Sequence, residues 1–159
     1  MAKKKKQTRK RKKAAPEVAE RSAFWPLAAA IILLVAAVFM LFGGFGTGGP
    51  LPKGLFRGTY WVFGWAAYIT PVTLVFFGIT KFKSEDKRVP LGKFISMLAA
   101  LAFTSSWFHV VSATKQIDGT FTGGRGGEVG RLIGSSVLGA IDKFPAALMF
   151  FVFALLAFF

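Results

Sequence analysis

Residues 122–136 read TGGRGGEVGRLIGSS, a glycine-rich run carrying two arginines and closing on two serines. Two folds compete for it. As a phosphate-cradling loop it would join a buried strand to a helix in an α/β protein; as a packing device it would let one helix approach another closely. The phosphate loop requires Gly-x-x-x-x-Gly-Lys-Ser/Thr, in which the lysine reaches phosphate and the hydroxyl holds Mg²⁺. In the closest frame Gly119 pairs with Gly124, but Arg125 and Gly126 stand where Lys and Ser/Thr are needed. Counting back from Gly130 puts Arg125 at the first glycine position. No apolar strand pattern precedes either frame, so the nucleotide reading fails.

The surroundings of this run favour helices in a membrane. The chain has 159 residues, of which 53% are hydrophobic, 19 are Phe and only 18% are charged, against about 25% charged in a soluble domain. The formal net charge is nevertheless +14. Apolar blocks punctuated by basic residues are membrane-protein composition. The absence of cysteine excludes disulfides and thiolate metal sites, and no cofactor or catalytic constellation is read from the remaining residues.

AFWPLAAAIILLVAAVFMLF (23–42) carries no charge, and about 20 apolar residues at ~1.5 Å each span a hydrocarbon core. Ser22 is placed to cap this helix and Pro26 falls in its first turn, where a missing N–H costs little. The apolar run exceeds the ~7–15 residues of a signal peptide and no small-x-small site follows, so it reads as an uncleaved anchor. Further spans are expected at about 58–80, 94–114 and 132–159, the last interrupted by Asp142 and Lys143. The expected fold is all-α: four transmembrane helices over residues 23–159, preceded by a basic tail, residues 1–22. The tail has no large apolar residue between Met1 and Val18 and is expected to be disordered.

Orientation follows from lysine and arginine. The tail and the loop between spans two and three hold fifteen basic residues, whereas the opposite side holds Lys53, Arg57, Lys115, Arg125 and Arg131, with Lys143 near the boundary. A multi-pass protein of the cytoplasmic (inner) membrane with both termini cytoplasmic is expected. Lys3, Lys4, Lys5, Lys6, Arg9, Lys10, Arg11, Lys12 and Lys13 are the residues offered to anionic lipid at about 1 kcal/mol each. DNA contact through the same residues is a weaker, salt-sensitive addition, because no aromatic side chain interleaves them to stack on bases.

The glycine run also has a counterpart earlier in the chain. TGG occurs at 47–49 and again at 122–124; Gly54, Gly58 and Gly64 follow the first, and Gly130, Gly134 and Gly139 the second. A proline then appears in each, Pro71 or Pro145, before an aromatic-rich apolar run. Counted from the threonine, the offsets agree to within one residue. Two helical hairpins repeated in the same orientation explain the pattern. Gly54/Gly58 and Gly130/Gly134 at i, i+4 spacing put small residues on one helix face for close packing. Gly48, Gly49, Gly123 and Gly124 supply turns with positive φ, and Pro71 and Pro145 are expected to kink the helices that contain them. Ser96, Ala100 and Thr104 form a second small-polar face, as do Ala102 and Ser106, serving either packing within one unit or a homo-oligomer interface. His109 reads as an interfacial polar group, Asp142 and Lys143 as residues near the outer boundary, and the four tryptophans as membrane-belt or packing residues.

The order of these features, with "FGWAAYITPVTLVFFGI" (63–79) and "GGEVGRLIGSSVLG" (126–139), resembles the four-span N-terminal membrane domain of FtsK/SpoIIIE-type bacterial DNA translocases. The resemblance covers residues 23–159. It implies a domain that anchors a hexameric, DNA-pumping ATPase and helps assemble it at the division septum, with the lipid bilayer and septal proteins as partners. The 159 residues contain no Walker A sequence and no DNA-reading domain, so catalysis is not expected in this chain. A stand-alone envelope or septal scaffold, and a small transporter or channel, are the alternative readings.

Overall fold

A computed structural model describes residues 24–83 and 91–158, and among them the chain is all-helical apart from one two-residue strand pair. Ser22 and the basic tail lie outside the described residues. Helix α1 (Phe24–Gly44) leads through a tight turn to α2 (Pro50–Phe63), which ends in a 3-10 turn (Gly64–Tyr68) before α3 (Thr70–Lys83). Helix α4 (Leu91–Ser112) is followed by β1 (Thr114–Lys115), β2 (Phe121–Thr122), α5 (Gly127–Leu138) and α6 (Lys143–Phe158). The two strands pair antiparallel, Thr114 opposite Thr122 and Lys115 opposite Phe121.

Small residues face inward and large apolar ones outward. Ala30, Ala37, Ala100, Ser105, Ala146 and Ala154 are buried, whereas Ile32, Val35, Leu98, Leu148, Val152 and Leu156 stand exposed along the same helices. Where lipid tails surround a helix, apolar surface gains nothing by moving inward, so contact falls to whichever residues let backbones come closest. Helix α1 packs along α3 and α4 along α6. The α1–α3 approach rests on Gly78, where an added Cβ would come within 2.8 Å of the Leu34 side chain. The α4–α6 approach closes a cluster of Val110, Ala113, Leu138, Ala146 and Phe150, with Phe103, Trp107 and Ile133 around it.

Two helices, Leu27–Gly44 and Leu91–Ser112, are long and apolar enough to cross a bilayer. The second expected span is not one straight helix: α2 and α3 meet at 86°. Gly64 ends α2 in the left-handed region at φ 57°, a conformation costly for any residue with a Cβ. The fourth expected span is likewise divided, α5 ending at Leu138 and α6 starting at Lys143. Pro71 and Pro145 do not kink these helices from within. They stand in the first turns of α3 and α6, where the N–H they lack has no intrahelical partner to lose. Among the described residues there are therefore two candidate spans, a third if the bent pair counts as one, and α6 as a shorter apolar helix.

Candidate functional site

The site is assembled on α4. Ser105, His109 and Ser112 follow at i, i+4 and i+7, so they share one face of an otherwise apolar helix. Helix α5 lies against that face because it carries no side chain there. A Cβ at Gly130 would sit 2.5 Å from the Ser105 carbonyl oxygen, and one at Gly134 would sit 3.0 Å from the His109 ring. The preceding loop is tied to two of these residues. The Ser105 hydroxyl donates to the Gly126 carbonyl, and the Arg125 N–H donates to Ser112 Oγ at 2.8 Å.

His109 is 4% exposed. Its Nε2 lies 3.1 Å from Ser135 Oγ, while its Nδ1 is buried and has no hydrogen-bond partner among the described residues. Gly124 lies over that atom: an added Cβ would come within 2.4 Å of Nδ1. A serine–histidine contact suggests nucleophilic chemistry only where a third group orients the ring through its other nitrogen. Nδ1 has no such carboxylate here. The pair is a polar tie between α4 and α5.

The break between α2 and α3 completes the site. The Trp65 N–H donates to the Arg125 carbonyl at 2.8 Å, and the Arg125 guanidinium lies over the Trp65 ring at 4.7 Å. Gly64 and Gly127 touch backbone to backbone. A Cβ on Gly64 would fall 2.1 Å from the Arg125 carbonyl oxygen, and one on Gly127 2.4 Å from the Gly64 nitrogen. The α2–α3 break and the loop after α4 thus meet beside α5. Between them opens a cavity of about 930 Å³, with Phe56, Tyr60, Trp61 and Tyr68 on one wall and Arg125, Glu128, Arg131 and His109 on the other.

The expected glycine positions divide among this site, turns, open helix surface and a helix cap. Gly64, Gly124, Gly130 and Gly134 all enter this site. Gly48, Gly49 and Gly123 have φ of 83°, 86° and 77°, so these turn glycines adopt the left-handed region. Gly54 and Gly58 lie on exposed α2 with open space beside them, and a Cβ on either would meet nothing within 4 Å. Gly139 caps α5 with its N–H bonded back to Ser135. Lys3–Lys6 and Arg9–Lys13 fall outside the described residues. Asp142 and Lys143 stand at the α5–α6 break, where the Lys143 ammonium donates to the Ala113 carbonyl at 2.8 Å. The small-polar faces read from the sequence, Ser96/Ala100/Thr104 and Ala102/Ser106, leave out Ser105 and its pairing with Gly126, and His109, read there as an interfacial polar group, is buried. The signal available was the i, i+4, i+7 polar stripe on an apolar helix.

Apolar helices that pack through small residues, two of them long enough to cross, define a multi-pass membrane protein. Its family is given by comparison: residues 55–159 match the family model described as the 4TM region of DNA translocase FtsK/SpoIIIE. The chain belongs to that family. No curated protein and no solved structure matches it.

Proposed function

We propose that this chain is the part of an FtsK-like translocase that fixes the motor in the cytoplasmic membrane and helps gather it at the division septum. The observation that carries this reading is the match to the FtsK/SpoIIIE 4TM region across most of the membrane-embedded sequence. The site described above is a helix-packing junction, and such a junction suits an anchor that holds its loops in fixed positions outside the bilayer. In this reading α1 with α3, and α4 with α6, are two hairpins of a four-span unit, each carrying an amphipathic helix at its outer turn. Both termini face the cytoplasm, several copies assemble, and septal proteins bind the outer loops. The basic tail contacts anionic lipid and adds at most weak, salt-sensitive affinity for DNA.

The test is localisation. A fluorescent protein fused behind residue 159 and expressed in dividing bacteria should collect at mid-cell before constriction. Uniform fluorescence around the envelope, at normal abundance, would leave membrane residence intact but remove the septal role.

A further inference from the structure

We infer that the cavity between α2 with its break and the loop after α4 with α5 binds the phosphate group of an amphiphilic ligand. Its volume, about 930 Å³, is in the range of small-molecule sites. Three arginines line it, Arg57, Arg125 and Arg131, against one acidic residue among the described residues, Glu128. That carboxylate accepts from Arg131 Nε at 3.1 Å and Nη2 at 2.5 Å. Among the described residues Arg57 and Arg125 thus have no carboxylate partner, Arg125 resting on the Trp65 ring instead.

An independent observation inside the wall points to the same chemistry. His109 is more than nine-tenths buried, lines the cavity, and holds an Nδ1 atom without a partner among the described residues. Leaving a polar nitrogen buried and unpaired is costly, and such atoms mark places where a missing group belongs. In the tautomer in which the Ser135 hydroxyl donates to Nε2, the ring proton sits on Nδ1, beneath the Gly123–Gly124 backbone that lines the cavity. The side-chain-free Gly124 lies against that nitrogen, and a Cβ there would stand 2.4 Å from it. Helix α5 starts in the same wall at Gly127 with no side-chain cap on its first-turn N–H groups, and these groups favour negative charge.

The opposite wall selects the rest of the ligand. Phe56 and Tyr68 lie 5.0 Å apart, and Tyr60 packs 6.0 Å from Phe56 and 6.4 Å from Tyr68. Trp61 lines the same wall. An apolar chain can lie along these rings while its phosphate reaches the guanidinium groups. Phosphatidylglycerol-like lipids and soluble phosphate compounds share the recognised group, and binding measurements separate them.

The whole chain, purified in a neutral detergent, is titrated with dihexanoyl phosphatidylglycerol, with dihexanoyl glycerol lacking the phosphate, and with inorganic phosphate. Intrinsic tryptophan fluorescence and native mass spectrometry give the readouts. The phosphatidylglycerol should bind and the diacylglycerol should not. Displacement by inorganic phosphate at equal concentration assigns a soluble phosphate compound; displacement only in large excess assigns the lipid headgroup. Arg57→Gln and Arg125→Gln should each weaken binding about tenfold, the effect of one charge-assisted hydrogen bond. Lys53→Gln, on the same helix as Arg57 but outside the cavity, should leave it unchanged. Arg57 is exposed, so its variant reads binding even where Arg125→Gln disturbs the Trp65 contact. Equal binding by diacylglycerol, or wild-type affinity in Arg57→Gln, overturns the proposal.

Discussion

A single methyl group decides how closely α5 can lie on α4. At Gly130 the added carbon would meet the Ser105 carbonyl oxygen at 2.5 Å, and a backbone atom cannot rotate away. Gly130→Ala should therefore destabilise by about 1–3 kcal/mol, outweighing the ~1 kcal/mol that alanine gains in helix propensity. Gly54→Ala, with open space around it, should be neutral or slightly stabilising. Thermal unfolding in detergent compares the two. Equal midpoints would mean that α5 does not rest on α4 as described. Asp118 gives a second prediction at this scale. Its carboxylate accepts from the Thr120 hydroxyl at 2.7 Å and from the Thr120 N–H at 3.0 Å, and these bonds lower its pKa below the ordinary aspartate value. A carboxylate with a depressed folded pKa adds stability above its unfolded pKa and loses it as pH falls through the folded one. The Thr120 amide resonance should titrate with a midpoint below the usual ~3.9. A midpoint at or above that value would show that the turn does not hold the charge.

Elements show why hydropathy reads some of this chain and not the rest. Helices α1 and α4 fall close to the uncharged stretches at 23–42 and 94–114 because a long apolar run has one inexpensive arrangement in lipid. The breaks at 64–69 and 139–142 were illegible to the same criterion, since glycine and alanine keep an average apolar whether or not the helix continues. Spacing found the recurrence of Gly64 and Gly139, yet it could not say that Gly64 adopts φ 57° while Gly139 stays in the helical region at φ −71°. Nor could it pair Ser105 with Gly126, a contact across 21 residues that exists only once α5 lies on α4. The prolines drew attention because proline breaks helices, but here they begin them. This assigns the cause of the α2–α3 bend to Gly64. Gly64→Ala forces a positive φ on a Cβ and drives that carbon to 2.1 Å from the Arg125 carbonyl, so it should cost about 2 kcal/mol or more. Pro145→Ala, exposed in the first turn of α6, should shift stability by no more than about 0.5 kcal/mol. Unfolding by denaturant in mixed micelles ranks the pair. A larger loss in Pro145→Ala would return the breaks to the prolines.

At the scale of the molecule the decisive property is which way the bundle faces. Arg57, Arg125 and Arg131 gather at the cavity end, whereas Lys81 and Lys83 close α3 and Lys93 opens α4 at the other. The heavier basic load, with the tail added, predicts the second end to be cytoplasmic. Because the chain has no cysteine, single introduced thiols report orientation without background. Gln116→Cys, in the exposed loop between β1 and β2, should react with a membrane-impermeant maleimide in intact spheroplasts. Lys83→Cys, exposed at the end of α3, should react only after permeabilisation. The two positions flank α4, so labelling of both from one side would mean that α4 does not cross. Exchange of the two patterns would keep the crossing and reverse the orientation. Ile141→Cys, exposed at the α5–α6 break, extends the test to the last helix and should behave as Gln116→Cys. The 16 described residues of α6 cover about 24 Å at ~1.5 Å each, less than the ~30 Å of hydrocarbon. The proposed four-span unit requires α6 to cross, with Lys143 at the boundary beside the Ala113 carbonyl. A thiol placed directly after residue 159 should then be reached only from the cytoplasmic side. Its labelling in intact spheroplasts would return α6 to the outer face and reduce the unit to three crossings.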